Sequence, residues 1–575
     1  MAEKTEDQLD TTGIDETLLR LSDNKHRWAR LPIQTRITYL EQVRDLLVAN
    51  ADAWVAAGVQ MKDLDPHAPI VGGEEWLGGP YPTAAWLTEM IATLTRLSTG
   101  ADPLEGVRVR TRPDGQVVAG VFPSNAYDRL LLNGYELDVW MQPDVSPVTL
   151  RNNVASFYRQ SDPQGAVTLV LGAGNVAAIP MLDVLYCLYA DGHVVVLKMN
   201  PVNEVYGPVF ERILAPLIRA GYVAVVYGGA DAGKHLTDSD LVDTVHITGS
   251  ERTYETIVFG GGADGRAAKA AGTPRWTKPI RSELGGASPT IVVPGPWSKA
   301  DIAYQAQHLA TQKLFSAGHT CVASQVLILP AGWEHKDELL DALRAELAAA
   351  PDRRPFYPGT EDRQDAFRVE NPDAEALPGP QERTLLVDID PDSNHPAFQD
   401  EMFGPIYVTT SIEGTDAGDY LAKAVEFANK HLHGNLGANI IIDPTTAGRF
   451  AAELDRATAD LKYGCIGVNV WSAFAFLSPR GAWGAYPGNT PTDIQSGTGV
   501  VHNALLFDKT QKTVVRAPFR PFQRSLRHPL QGLTVKPPWF LSNRTARSTA
   551  RAFTMFAADP HPKRLPSIFI PAVRG

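Results

Sequence analysis

The stretch AVTLVLGAGNVAAIP, residues 166–180, runs from an apolar, β-branched segment through a glycine turn into a second apolar run. Five or six such residues bounded by glycine predict a buried strand, and the longer apolar run after the turn predicts a helix. The same alternation recurs downstream. HVVVLK (193–198) precedes YGPVFERILAPLIRA (206–220), and YVAVVYG (222–228) precedes a short helix around AGKHL (232–236). DTVHITGS (243–250) then closes the series. Strands separated by helices imply a parallel sheet covered on both faces. The stretch GGGADGRAAKAAGTPR (260–275) interrupts this pattern and reads as a flexible insertion. Alternation resumes with PTIVVPG (289–295), ADIAYQAQHLATQKLF (300–315), SQVLILP (324–330), TLLVDI and IYVTT, which suggests a second α/β domain.

The glycines of the opening turn read G-x-G-x-x-A at Gly172, Gly174 and Ala177, close to a dinucleotide-binding fingerprint. That fingerprint makes a second demand, a carboxylate at the end of the next strand to take ribose hydroxyls. Here that strand ends in Lys198; Asp191 precedes it and Glu204 follows six residues later. The fingerprint is incomplete.

Upstream, residues 15–60 carry apolar residues at helical spacing, and YPTAAWLTEMIATLTRL (81–97) predicts another helix after the glycine-rich GGEEWLGGP (72–80), which reads as a turn. RVRTRPDGQVVAGVFP (108–123) alternates around Pro-Asp-Gly, a hairpin signal that opens an extended section to about residue 158. The resulting partition is 1–104 helical, 105–163 extended, 164–282 and 283–470 α/β, 471–515 a return to the first parts, and 516–575 a Pro-rich, largely irregular tail.

At 575 residues the chain is too long for one core, and 44% hydrophobic with 21% charged residues is an ordinary globular composition. No stretch approaches the roughly 18 to 20 apolar residues of a membrane helix, and the acidic N-terminus is neither a secretory signal nor an Arg-rich transit peptide. Three cysteines, Cys187, Cys321 and Cys465, argue against a disulfide scaffold and for a reducing, cytoplasmic setting. The net charge of −12 is uneven: from Arg516 onward eleven Lys or Arg face one acid, Asp559, leaving 42 basic against 64 acidic residues elsewhere. Because these basic residues are interleaved with Pro, Phe and Trp, the tail is expected to pack on the acidic body of its own or a neighbouring subunit rather than on nucleic acid.

Four further motifs follow in order: HITGS (246–250), RSELGGASP (281–289), SAGHTC (316–321) and QDEMFGPI (399–406). With the asparagine after Gly174, this set resembles the aldehyde dehydrogenase superfamily, most clearly between about residues 166 and 470. The resemblance implies two Rossmann-like parallel α/β domains plus a small β oligomerisation section, and a homodimer or homotetramer. It matches Asn175 to the family's oxyanion asparagine, Lys198 to its ribose-binding lysine, and Gly249 with Ser250 to its cofactor turn. Glu283 matches the general base, Cys321 the nucleophile, and Glu401 with Phe403 the nicotinamide-ribose contacts. NAD or NADP is the implied cofactor, with no metal, and a small aldehyde the implied substrate.

The chemistry gives each residue a reason. An aldehyde carbon must first become electron-rich to release a hydride, and a thiolate on a turn, where N–H groups lower its pKa, is suited to add. The adduct's oxygen needs fixed donors, which the Asn175 amide and the Cys321 N–H would supply. Hydrolysis of the resulting thioester needs a base, the role given to Glu283. Cofactor phosphates would meet the helix after the Gly-Ser turn, where Ser250 is equally a helix cap. Pro201 stands where NAD-preferring members commonly have a glutamate, which keeps NADP open. Trp471, Phe474, Phe476 and Trp483 suggest an aromatic pocket wall or plain core. Two other functions remain: a CoA-acylating dehydrogenase, against which Glu283 argues, and a catalytically inactive nucleotide-binding scaffold.

Overall fold

Strand formation at Val167–Leu171, Val194–Lys198, Val223–Val226, Thr244–Gly249 and Ile280–Leu284 follows directly from their β-branched runs, most of whose side chains are buried. In a computed structural model, which describes residues 11–66, 69–379, 381–520 and 536–575, these strands pair in parallel as one sheet. Its order runs Ile280–Leu284, Thr244–Gly249, Val167–Leu171, Val194–Lys198, Val223–Val226, with Gly497–Thr498 antiparallel on the outer edge of Ile280–Leu284. Helix Ala178–Tyr189 is buried at every position, as expected for a helix apolar everywhere but at Asp183.

An eleven-stranded sheet forms the second layer system. Its parallel centre holds Cys465–Val468, Gly437–Ile441, Pro289–Val292, Val326–Pro330, Ile406–Ile412 and Arg383–Ile389. Strand Thr510–Arg516 joins Cys465–Val468 in parallel and pairs antiparallel with Glu136–Met141. Through that strand the predicted extended section, Arg108–Thr111, Val117–Phe122 and Glu136–Met141, is continuous with the large sheet. The fold is α/β with two largely parallel sheets and an antiparallel β section.

Three local expectations are corrected. The stretch read as a flexible insertion contains helix Gly262–Ala271: beyond its glycines the residues are good helix formers, and Gly272 ends it in the left-handed conformation. The stretch read as a glycine-rich turn lies mostly in helix Pro69–Leu77. Gly73 is there for a helix crossing, since a Cβ on it would stand 2.6 Å from Ala546 Cβ and 2.9 Å from Ala546 C. The crossing partner belongs to the tail read as irregular, which contains helices Ala546–Ala558 and Leu565–Ala572. The first packs on helices Pro69–Leu77 and Pro80–Ser98. Arg551 forks onto Asp52 at 3.0 and 2.8 Å, so this part of the basic tail does lie on the chain's own acidic body. Residues 521–535 of the tail lie outside the described residues. Among the described residues, no helix is long and apolar enough to cross a membrane.

Candidate active site

Cys321 owes its position to a turn that most residues resist. Helix Lys299–Leu314 ends, and Ser316, Ala317 and Gly318 follow with φ of 53°, 57° and 81°. Two non-glycine residues in succession with left-handed backbone cost energy and must be braced. The brace is a buried ionic cluster that the N-terminal helical region forms with Arg353. Glu74 Oε2 accepts from the Ser316 N–H at 3.3 Å and from Arg353, while Lys62 donates to the Ser316 hydroxyl at 3.3 Å and to Glu75 at 2.6 Å. Sequence reasoning missed Lys62, Glu74, Glu75 and Arg353. The only sequence signal is at Glu74 and Glu75, acids inside an otherwise apolar helix, and it names no partner.

Glu283 sits at the buried end of its strand, 3% exposed, and its Oε1 accepts from the Cys321 thiol at 3.7 Å. Burial, with the negative Asp183 nearby, pushes Glu283 up to about 8. Burial and the facing carboxyl push the Cys321 thiol well above its ordinary value. The expectation of a turn-lowered thiol is therefore corrected: the backbone N–H does favour the thiolate, but desolvation outweighs it. At rest the pair is a thiol beside a carboxyl that holds its proton to about pH 8.

Asn175 is 7% exposed and donates one amide N–H to the His319 carbonyl at 3.0 Å, which ties the glycine turn to the cysteine turn. Gly174 has to be glycine because a Cβ would meet the Asn200 side chain at 2.8 Å. Glu401 presses on the Gly285 backbone, where a Cβ would fall 1.9 Å from its Oε1. Burial pushes Glu401 up to about 8, opposed by Lys313 and Arg363. Phe403 packs edge-on to Tyr357 with ring centres 4.8 Å apart.

One cleft brings together Asn175, Gly249, Ser250, Glu283, Cys321, Glu401 and Phe403. Lys198 lies in an adjoining cleft that shares Gly249 and Ser250. There the Ser250 hydroxyl caps helix Glu251–Phe259, accepting from Thr253 N–H at 3.2 Å. The Lys198 ammonium, 7% exposed, makes no hydrogen bond or ion pair with the described residues, and burial lowers its pKa. A desolvated cation with free donors beside a capped helix N-terminus fits the anionic and hydroxyl groups of a dinucleotide. Glu204, the acid past Lys198, is turned to the Gly228 N–H at 3.0 Å. A third chamber, almost wholly apolar, also opens on Cys321. Trp471, Phe474, Phe476 and Trp483 line it, and the tail adds Trp539, which no sequence pattern connected with Cys321. Among the described residues no group of His, Cys, Asp or Glu is placed to hold a metal ion.

Thiol, carboxyl and cofactor-type cleft meet on this pair of parallel sheets. Residues 135–361 match the aldehyde dehydrogenase family model. Mouse aldehyde dehydrogenase family 3 member B2 is 24% identical over 352 residues, 57% of this chain and 66% of that protein. The α-ketoglutarate semialdehyde dehydrogenase of Haloferax volcanii is 27% identical over 333 residues, 52% of this chain and 62% of that protein. The matched stretches thus span less than two thirds of these relatives. A solved lactaldehyde dehydrogenase superposes with a TM-score of 0.57 at 16% identity, covering 87% of this chain and 90% of that one. An indole-3-acetaldehyde dehydrogenase solved with NAD+ gives 0.57 at 16%, covering 88% and 89%. Residues 135–361 thus resemble the aldehyde dehydrogenase family in sequence, and the chain has the aldehyde dehydrogenase fold.

Proposed function

We propose that the chain oxidises an apolar aldehyde to a carboxylic acid with NAD or NADP, using Cys321 as nucleophile and Glu283 as base. The observation that carries this reading is the 3.7 Å contact between the Cys321 thiol and Glu283 Oε1, at the meeting point of the cofactor-type cleft and the aromatic chamber.

Above about pH 8 Glu283 is a carboxylate and takes the Cys321 proton as sulfur adds to the aldehyde carbon. The new oxyanion accepts from the Cys321 backbone N–H and from the Asn175 amide N–H that His319 does not use. A bound nicotinamide supplies the hydride acceptor; Lys198, Gly249, Ser250, Glu401 and Phe403 are the residues that would hold it. Loss of the hydride leaves a thioester on Cys321. Glu283, once it has released its first proton to solvent, draws a proton from water; the hydroxide adds to the thioester carbon, the C–S bond breaks, sulfur takes up that proton as the Cys321 thiol is restored, and the acid departs. The lining of Trp471, Phe474, Phe476, Trp483 and Trp539 supports an apolar or aromatic R group.

NADP is used at least as well as NAD: Pro201 brings no carboxylate toward a 2′-phosphate, and Glu204 is engaged at Gly228. A relative described as dimeric and NADP-preferring, from mouse, is 24% identical over 320 residues, 51% of this chain and 62% of that protein. It supports NADP use and, of the two assemblies the resemblance implies, the homodimer.

The test is an aldehyde panel assayed with both cofactors, with Cys321→Ala as control. Reduction of NADP by apolar aldehydes, lost in the control, supports the reading. Turnover that requires CoA, or none at all, contradicts it. A kcat/KM for NAD more than about tenfold above that for NADP, worth about 1.4 kcal/mol, contradicts the cofactor assignment.

A further inference from the structure

His319 stands two residues before Cys321, and its side chain has no part in the proposed reaction, yet it is wholly buried. Phe356, Tyr357 and Phe403 enclose its ring at centroid distances of 4.8, 5.9 and 5.4 Å. Burial pushes its pKa down to about 3, so the imidazole is neutral, with one donor and one acceptor nitrogen to satisfy. Both nitrogens have partners. Nδ1 stands 3.2 Å from the Ser316 carbonyl in the left-handed turn, and Nε2 stands 2.9 Å from the Thr360 hydroxyl. The His319 carbonyl is the group that holds the Asn175 amide.

Thr360 is buried and opens helix Thr360–Glu370. Its hydroxyl accepts from Arg363 Nη2 at 3.0 Å, and the same nitrogen donates to the Phe403 carbonyl at 3.0 Å. A path of hydrogen bonds therefore runs from Phe403 through Arg363, Thr360 and His319 to Asn175, and each of its bonds is 2.9 or 3.0 Å long. The turns it joins also touch. A Cβ on Gly318 would stand 2.6 Å from the Gly404 carbonyl oxygen, and a Cβ on Gly404 2.8 Å from Thr360 Cγ2. Such contacts limit how near two turns come but leave them free to slide, whereas hydrogen bonds are directional and fix the register. Tyr357, three residues before Thr360, lines both the cleft of Lys198 and the cleft of Cys321, so this connection lies where the two clefts meet.

We infer that His319 is a positioning residue which, with Thr360 and Arg363, fixes the turn of Glu401 and Phe403 relative to Cys321 and Asn175. The inference rests on the reading above, in which Cys321 is the nucleophile and Glu401 with Phe403 hold the nicotinamide ribose. Hydride transfer needs the cofactor and the tetrahedral adduct in near-attack geometry, and a misplacement of about 1 Å costs up to about 10²-fold. Addition, oxyanion stabilisation and hydrolysis use the cysteine turn, Asn175 and Glu283, all on one side of the path. Cutting the path at Thr360 therefore separates the steps: those on the cysteine side persist, and those that use the cofactor weaken. A His319 that only filled the core would weaken both together.

The test compares Thr360→Val, which keeps the side chain's size and removes its hydroxyl, with Thr360→Ser, which keeps the hydroxyl. Two readouts need no aldehyde. The first is hydrolysis of p-nitrophenyl acetate, which acylates Cys321 without a hydride: sulfur bonds to the carbonyl carbon and nitrophenolate leaves with the C–O electron pair. This hydrolysis, corrected for the background in Cys321→Ala, stays within about twofold of wild type in both variants. The second is calorimetric binding of NADP and of adenosine 2′,5′-bisphosphate, which lacks the nicotinamide ribose. Thr360→Val weakens NADP about threefold or more and leaves the bisphosphate within about twofold, while Thr360→Ser binds both as wild type does. With aldehyde, Thr360→Val loses about tenfold or more in kcat, its KM for aldehyde stays within about threefold, and Thr360→Ser recovers the rate. Unchanged NADP affinity in Thr360→Val, or ester hydrolysis lost in step with it, overturns the inference whatever the oxidation rate. Arg363→Met breaks the path at its next bond and decides by the same readouts should Thr360→Val not fold. Wild-type protein that hydrolyses the ester at Cys321 and gives this binding pattern but oxidises no aldehyde overturns the reaction reading alone.

Discussion

At the scale of single residues, Cys321 and Glu283 set each other's chemistry. Glu283→Gln should lower steady-state turnover by about 10²- to 10⁴-fold, the usual worth of a general base, and abolish the rise in activity through about pH 8. The same raised pKa has a stability consequence. The folded protein holds a proton on Glu283 that the unfolded chain gives up near 4.5, so this group's contribution is full below about 4.5 and is lost as pH rises toward about 8. Thermal unfolding of Glu283→Gln relative to wild type should therefore gain between pH 5 and 9; a constant difference contradicts the assignment. Neutralising one partner of the buried Lys62–Glu75 pair, as in Glu75→Gln, should cost about 3–5 kcal/mol and loosen the cysteine turn, measured by denaturant unfolding. Cys321, Glu283 and Asn175 could be picked out in the sequence because each lies within three residues of a glycine in an ordered set of motifs. Lys62, Glu74 and Arg353 were not, because their meaning lies wholly in partners about 280 residues apart in the case of Glu74 and Arg353.

At the scale of elements, strands were the most legible feature, since a β-branched run between glycines has few alternatives. Glycine was the least legible. Gly72 and Gly73 carried a turn signal, yet they serve a helix crossing against Ala546 and Arg547. Local sequence cannot separate a glycine chosen for backbone freedom from one chosen for close approach. Gly73→Ala should cost about 1–3 kcal/mol by overpacking, and the loss should disappear in a protein lacking residues 536–575, as judged by urea midpoints. Equal losses in both backgrounds would place the cost within helix Pro69–Leu77 itself.

At the scale of the molecule, the two parallel sheets followed from alternation alone, whereas their connection did not. Strand Thr510–Arg516 joins the antiparallel β section to the large sheet, and nothing in its own seven residues names partners as distant as Glu136–Met141. The tail likewise brings Trp539 to the chamber at Cys321, where its ring stands 5.8 Å from that of Phe474. Trp539→Ala should widen the chamber, raising KM for small apolar aldehydes about threefold to tenfold while leaving kcat within about twofold. An unchanged KM across the panel would remove Trp539 from the substrate wall.

The most direct test of the central claim is a single-turnover experiment on Glu283→Gln with NADP and an apolar aldehyde, read by absorbance and intact mass. One equivalent of reduced cofactor should form, more slowly than in wild type because Cys321 has lost its base, with the aldehyde's acyl group retained on Cys321 and a steady state about 10²- to 10⁴-fold below wild type after it. Cofactor reduction without a mass increase at Cys321, or continued turnover with the thiol free, would contradict a covalent route through this cysteine.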